Sequence, residues 1–277
     1  MIPTVMLNDG TDLPAIGFGT YRLNGAEGVA AMAGAIRAGY RLIDSAVSYD
    51  NEGALGAAVR AAGAPRAELR LASKLPGRRH RFAEATAMIE ESLWRAGLDH
   101  WDLYLLHWPN PSRDLYVEAW GALIEARARG LVRAIGVCNF LPEHLERLIA
   151  ETGVAPAVNQ VELHPYFPQD DLRAFHRKQG IATLSWSPIG RAGALMAEPA
   201  LQAIAARLGR SVPQTILRWH VQLGAIPLPK AAGPGRQAEN LAIFDFALED
   251  ADMAAIAALA RPDGRSADRH PLRYEDW

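Results

Sequence analysis

The stretch Gly39-Tyr40-Arg41-Leu42-Ile43-Asp44-Ser45-Ala46-Val47-Ser48-Tyr49-Asp50-Asn51-Glu52 contains one complete structural unit. An amphipathic run over 27–38 precedes it, and Gly39 supplies the left-handed residue that ends a helix. Arg41-Leu42-Ile43 is a short apolar run and reads as a buried strand. Asp44 stands at the strand's end, Tyr49 in the loop beyond it, and a second helix begins near Asn51. An acid at a strand end beside a loop phenol suits proton chemistry, provided that a cation joins them.

The same unit recurs along the chain. Strands are expected over 16–18, 41–43, 69–73, 102–106, 132–137, 158–161, 181–185 and 225–228. Helices are expected over 27–38, 52–61, 82–96, 115–128, 142–150, 170–179, 199–208, 212–223, 237–243 and 250–260. Gly130, Gly180 and Gly224 stand before later strands as Gly39 does. Strict alternation implies a parallel sheet, and eight units imply an α/β fold of the closed (β/α)8 TIM-barrel type. A doubly wound sheet is the competitor, but it opens on a Gly-x-Gly-x-x-Gly turn, and Gly17-Phe18-Gly19 is followed by Thr20-Tyr21-Arg22 instead. An N-terminal hairpin is expected, with arms at Val5 to Leu7 and Thr11 to Leu13 around Asn8-Asp9-Gly10. No linker or repeat divides the 277 residues, so residues 1–277 are expected to form one barrel domain with extra helices near the C-terminus.

Composition excludes several function classes. Hydrophobic residues make up 49% and charged residues 22%, as in ordinary globular proteins. A net charge of −2 provides no footprint for nucleic acid or an anionic membrane. No apolar run approaches a membrane span of about 20 residues, and no signal peptide is expected. Cys138 is the only cysteine, so a reducing, cytoplasmic compartment is expected. Of 29 lysines and arginines only Lys74, Lys178 and Lys230 are lysine. Where arginine is the default cation, a lysine suggests a need for a compact or tunable charge.

Barrel chemistry gathers at the C-terminal ends of the strands. In chain order those ends present Asp44, Lys74, His107 with Trp108, Cys138 with Asn139, Gln160 with Glu162, Trp186 with Ser187, and Lys230. Each residue alone has a bland reading: Asp44 as a turn cap, Tyr49 as a loop tyrosine, His107 as a core histidine, Trp186 as packing. A whole ring of such residues argues for a site. An ammonium from Lys74 beside Tyr49 is expected to lower the phenol's pKa, with Asp44 keeping the lysine charged. His107 would hydrogen-bond a carbonyl oxygen held between itself and Tyr49. No Gly-x-Ser-x-Gly elbow and no metal-ligand spacing is present, so no metal is expected. Polarising a carbonyl without a protein nucleophile implies an external hydride, and hence a nicotinamide.

The chain resembles the aldo-keto reductases over nearly its whole length. The resemblance rests on Gly17-Phe18-Gly19-Thr20-Tyr21, Gly39 to Ala46 with Tyr49-x-Asn51-Glu52, Ser73-Lys74-Leu75, Leu98-Asp99-x-x-Asp102 through Pro109, Gly136 to Phe140, Asn159-Gln160-Val161-Glu162, Trp186-Ser187-Pro188, and Pro229-Lys230 with Arg236 and Glu239-Asn240. Leu75-Pro76-Gly77-Arg78 and Trp108-Pro109-Asn110-Pro111 are similar to the bacterial branch that includes 2,5-diketo-gluconate reductases. The resemblance implies a catalytic tetrad of Asp44, Tyr49, Lys74 and His107, with Tyr49 as general acid. It implies a cofactor NADPH that stacks on Trp186 and bonds Asn139 and Gln160 through its carboxamide. Thr20 and Tyr21 would line the nicotinamide end, and Ser187 with the loop from Ile189 to Leu195 would cover the pyrophosphate. Lys230 and Arg236 would hold a 2′-phosphate, and Glu239 and Asn240 the adenine. Tyr21, Trp108 and Trp277 would line the pocket for a small-molecule carbonyl substrate, in a monomer.

Two departures bear on the cofactor. Cys138 replaces the serine common in the family, and a thiol is a weak donor to the carboxamide. Ala231 replaces the serine of Pro-Lys-Ser, which removes a hydroxyl from the expected 2′-phosphate site, so NADH joins NADPH as an expected cofactor. The reaction expected is reversible reduction of aldehydes, ketones, dicarbonyls or keto-sugar acids to alcohols. A nicotinamide-nucleotide-binding regulatory protein with little turnover is the alternative of a different class, and metal-dependent hydrolysis on a barrel is a third.

Overall fold

The computed structural model describes residues 2–266 and 269–277. An antiparallel hairpin opens the chain: β1 (Thr4–Met6) pairs with β2 (Asp12–Pro14), Val5 opposite Leu13. Its turn is closed by Asp9, whose carboxylate accepts from the Thr11 amide at 2.9 Å and the Thr11 hydroxyl at 2.6 Å. Leu7 and Leu13 are buried against the barrel interior, so the hairpin seals the end opposite the site.

Eight parallel strands follow. They are β3 (Phe18–Gly19), β4 (Leu42–Asp44), β5 (Arg70–Leu75), β6 (Trp101–Leu106), β7 (Val132–Cys138), β8 (Val158–Glu162), β9 (Ala182–Trp186) and β10 (Ala225–Pro227). They lie in the sheet in sequence order. Gly17 N–H donates to Pro227 O at 3.0 Å and Gly19 N–H to Pro229 O at 3.1 Å, which joins the first strand to the last and closes the barrel. The structure is thus the (β/α)8 barrel that the alternation of elements implied.

The helices form the outer layer: α1 (Gly25–Ala38), α2 (Glu52–Ala62), α3 (Phe82–Ala96), α4 (Tyr116–Ala128), α5 (Pro142–Thr152), α6 (Asp170–Gln179), α7 (Pro199–Leu208), α8 (Val212–Gln222), α9 (Pro234–Leu241) and α10 (Asp250–Ala257). Gly39 ends α1 at φ 117°, with its N–H shared between Ala35 O and Ile36 O. That conformation suits a residue without Cβ and lets Leu42 begin the next strand directly. Observed helix ends differ from the sequence reading by a few residues; α9, for example, starts at Pro234, which occupies a first-turn position needing no N–H donor.

Alternation along the strands positions the site. Leu42, Ala72, Leu103, Leu105, Ala134, Val158, Leu184 and Ile226 belong to one buried cluster, the barrel core. The side-chain period in a strand is two. Two residues on from Leu42, Ala72, Leu105, Val158 and Leu184 stand Asp44, Lys74, His107, Gln160 and Trp186. The inward faces are therefore apolar below and polar at the strand ends. No described helix is long and apolar enough to cross a membrane.

Candidate active site

Asp44 and Lys74 form the floor. Lys74 is fully buried, and its ammonium donates to Asp44 Oδ1 at 2.8 Å, Asp44 Oδ2 at 2.7 Å and the Ser45 carbonyl at 2.7 Å. Three acceptors saturate a group with three protons. Gln160, from β8, donates its amide to Asp44 Oδ1 at 2.8 Å. Burial by itself lowers the Lys74 pKa, but the Asp44 carboxylate and the Tyr49 oxygen lift it above the usual lysine value. Lys74 is accordingly a fixed cation.

Tyr49 ends a 3-10 turn, Val47–Tyr49, and is half-buried above the floor. Lys74 Nζ lies 4.9 Å from the centre of its ring. The His107 ring lies at 5.9 Å, edge to face, and the Tyr21 ring on the other side at 5.2 Å. The phenol's pKa contradicts the expectation from the sequence. Burial pushes it up to about 12; Lys74 pulls it down by charge and hydrogen bond, Asp44 adds to the rise, and burial outweighs the lysine. The phenol is protonated at neutral pH, the state that a proton donor requires.

Asn139 and Trp186, two residues expected at the nicotinamide, are engaged with each other. Asn139 takes a left-handed backbone, φ 62°, a conformation asparagine tolerates. Its amide donates to the His107 carbonyl at 3.1 Å, and its oxygen accepts from Trp186 Nε1 at 2.8 Å. Trp186 is half-buried at the end of β9. Thr20 is buried, with its hydroxyl on the Asp44 carbonyl at 2.9 Å. Cys138 is buried in the barrel core, where burial raises its thiol pKa, so it is a neutral group close to Lys74 and Asp44.

The outer expected residues differ in exposure. Ser187 is half-buried with φ 50°, Ile189 is half-buried, and Leu195 is buried. Lys230 and Arg236 are exposed around the start of α9, where Gly233 caps the helix without a side-chain hydrogen bond. Two cations beside uncapped helix N–H groups form a donor set suited to a phosphate. Ala231 is buried in the layer between barrel and helices, Glu239 is half-buried, and Asn240 is buried with its side chain on the Tyr40 hydroxyl.

The tail departs from the sequence reading. Trp108 is buried, with the Tyr274 ring packed against it at 4.4 Å. Trp277, expected in the substrate pocket, is 65% exposed and lies against the Arg113 guanidinium. Its neighbour Asp276 is the residue that enters the site, with Oδ2 2.9 Å from His107 Nδ1. Nothing in the sequence distinguishes Asp276 from the adjacent Glu275; only the folded tail selects it.

A buried Asp–Lys pair at two strand ends, with a phenol and an imidazole beside it, gathers titratable groups at the end of the barrel where barrel enzymes carry their sites. The sequence model described as "Aldo/keto reductase family" matches residues 15–261. The chain is 54% identical over 275 residues to 2,5-diketo-D-gluconic acid reductase B of Corynebacterium sp. (strain SHS752001), covering 99% of each chain. It is 43% identical to morphine 6-dehydrogenase of Pseudomonas putida, covering 96% of each. Among solved structures, the NADPH complex of a Gox0644 variant superposes with a TM-score of 0.95 at 38% identity, covering 99% of both chains. The chain belongs to the aldo-keto reductase family and is an NAD(P)H-dependent oxidoreductase.

Proposed function

We propose that this enzyme reduces small aldehydes, ketones and dicarbonyls, keto-sugar acids among them, to alcohols with NADPH, and that Tyr49 is the general acid. The observation that carries the reading is the Tyr49 ring held over the Lys74 cation and facing the His107 ring, and burial, which raises the phenol's pKa, supports it. A bound nicotinamide supplies the hydride that the carbonyl carbon receives. The protein does the rest. His107 and Tyr49 bracket the carbonyl oxygen and polarise the bond. As charge develops on that oxygen, the Tyr49 proton passes to it, and the alcohol is complete with one hydride and one proton. The phenolate left behind is offset by Lys74, which Asp44 and the Ser45 carbonyl hold in place. Alcohol oxidation is the same sequence reversed.

In this reading Trp186, Asn139 and Gln160 receive the nicotinamide, and Thr20 and Tyr21 line its edge. Ser187, Ile189 and Leu195 cover the pyrophosphate, Lys230 and Arg236 hold the 2′-phosphate, and Glu239 and Asn240 meet the adenine. The donor set at α9 supports the phosphate assignment. Tyr21 and Trp108 frame the substrate. The reading includes a monomeric, cytoplasmic enzyme, and the single buried cysteine suits a reducing compartment.

The substrate class follows the relatives: one is named for a diketo sugar acid and another for a morphine alcohol. The test is stopped-flow oxidation of NADPH and NADH against a panel of carbonyls that includes methylglyoxal and 2,5-diketo-gluconate. Turnover with NADPH supports the reading; tight NADPH binding without turnover on any carbonyl would favour the regulatory alternative.

A further inference from the structure

Residues 274–276 of the tail are built into the rim of the site. Tyr274 packs on Trp108, and Glu275 Oε1 accepts from the Ser112 amide at 2.9 Å. Asp276 and Asn110 exchange two hydrogen bonds: Asp276 N–H donates to Asn110 Oδ1 at 3.2 Å, and Asn110 Nδ2 donates to Asp276 O at 3.4 Å. The Asp276 carboxylate also accepts from the Gly77 amide at 3.4 Å. The loops after β5 and β6 are pressed together to receive it; a Cβ on Gly77 would lie 2.1 Å from the Asn110 amide. Asp276 is only 8% exposed, and it lies beyond the residues 15–261 that the family's sequence model matches.

We propose that Asp276 is the positioning residue of His107: its carboxylate fixes Nδ1 as the protonated ring nitrogen, sets the plane of the imidazole and leaves Nε2 as the atom that meets the substrate oxygen. The proposal rests on the carbonyl-reductase reading for His107's partner and on geometry for the rest. The Nδ1–Oδ2 distance is 2.9 Å. Burial by itself raises the Asp276 pKa, but the His107 hydrogen bond and charge, the Gly77 N–H and Arg78 hold it below the ordinary aspartate range. Asp276 is thus an anion, and an anionic carboxylate only accepts, so Nδ1 bears a proton. With Nδ1 engaged, Nε2 accepts from an alcohol when the ring holds one proton and donates to a carbonyl when it holds two. Other charged or titratable groups close to Asp276 include Arg78, His80 and Cys138. His80 is fully buried, its pKa lowered to about 4 chiefly by burial, so at neutral pH it is uncharged and does not compete as a cation for Asp276.

The test uses the full-length chain labelled with 15N-histidine, with the His107 signals assigned by their loss in His107→Gln. In the parent protein Nδ1 is expected to carry a proton whether or not Nε2 does. Asp276→Leu and Asp276→Ala, which remove the acceptor, are expected to leave a mixture of tautomers, whereas Asp276→Asn, whose amide oxygen stays on the Gly77 N–H, is expected to keep the proton on Nδ1. In parallel, Asp276→Ala is expected to lower kcat for methylglyoxal reduction by about tenfold or more while the NADPH Kd stays within about twofold, because misorienting a reacting group costs rate rather than cofactor affinity. A His107 pattern unchanged in Asp276→Leu and Asp276→Ala overturns the proposal, and so does an Asp276→Ala kcat within twofold of the parent's. Should Asp276→Ala fail to fold, Asp276→Leu, of closer volume and without an acceptor, carries the test through its tautomer signal. A parent protein that reduces no carbonyl would sink the functional reading, while the tautomer measurement would still decide the role of Asp276.

Discussion

Asp44 and Lys74 stand on adjacent strands, and the Lys74 ammonium lies 2.8 and 2.7 Å from the two Asp44 carboxylate oxygens, with both residues buried. Strand register brings them together: Asp44 pairs with Ala72, so Lys74, two residues further along β5, points to the same interior one layer higher. Such a pair resists the loss of either partner more than it adds to stability, because breaking it strands a charge out of water.

Asp44→Asn should therefore destabilise the fold by about 3–5 kcal/mol. Urea denaturation at pH 7 measures it. A loss below about 1 kcal/mol would mean that Lys74 sheds its proton or reaches water in the variant.

Tyr49→Phe removes the transferable proton and leaves the ring. We expect kcat for carbonyl reduction to fall by about 10²- to 10⁴-fold. The NADPH Kd, read from fluorescence titration, should barely move. Normal turnover in this variant would remove Tyr49 as the acid.

Glu52 lies behind the floor, buried, with Oε1 accepting from the Ser73 and Ser92 hydroxyls at 2.5 Å each. Burial raises its pKa, and the two hydroxyls only partly oppose the rise. The folded chain therefore holds a proton that the unfolded chain releases near pH 4.5, and stability from this group declines as pH rises from that value through the folded pKa. Glu52→Gln, which cannot ionise, should raise Tm relative to the parent at pH 8, with a smaller difference at pH 5. Parallel Tm profiles for the two proteins across that range would contradict the assignment.

Lys230→Ala should raise the NADPH Kd by about tenfold, the worth of one charge-assisted hydrogen bond to phosphate, and leave the NADH Kd nearly unchanged. Isothermal titration with both cofactors reads the difference. Equal effects on the two would take the 2′-phosphate away from Lys230.

Much of the architecture is legible in local pattern. Strand runs, helix-ending glycines and strict alternation are short-range signals, and Gly39 before Leu42 carries them as clearly as any residue does. The strand-end residues are legible for the same reason: a period of two propagates from an apolar core residue to the polar group above it, from Leu42 to Asp44 and from Ala72 to Lys74. The direction of the Tyr49 shift was not. A neighbouring lysine can be named from sequence, but the amount of protein packed around a phenol cannot, and here burial decides the sign.

The chain's order of residues determined by itself that strands alternate with helices, that a rare lysine ends one strand and an aspartate its neighbour, and that the protein is an aldo-keto reductase. Tertiary structure alone decided which tail residue reaches the site. Glu275, Asp276 and Trp277 are consecutive, yet one caps an outer loop, one bonds His107 and one lies exposed on Arg113. A contact across 169 positions is set by how the tail packs on Trp108 and Asn110, and no local periodicity records that packing.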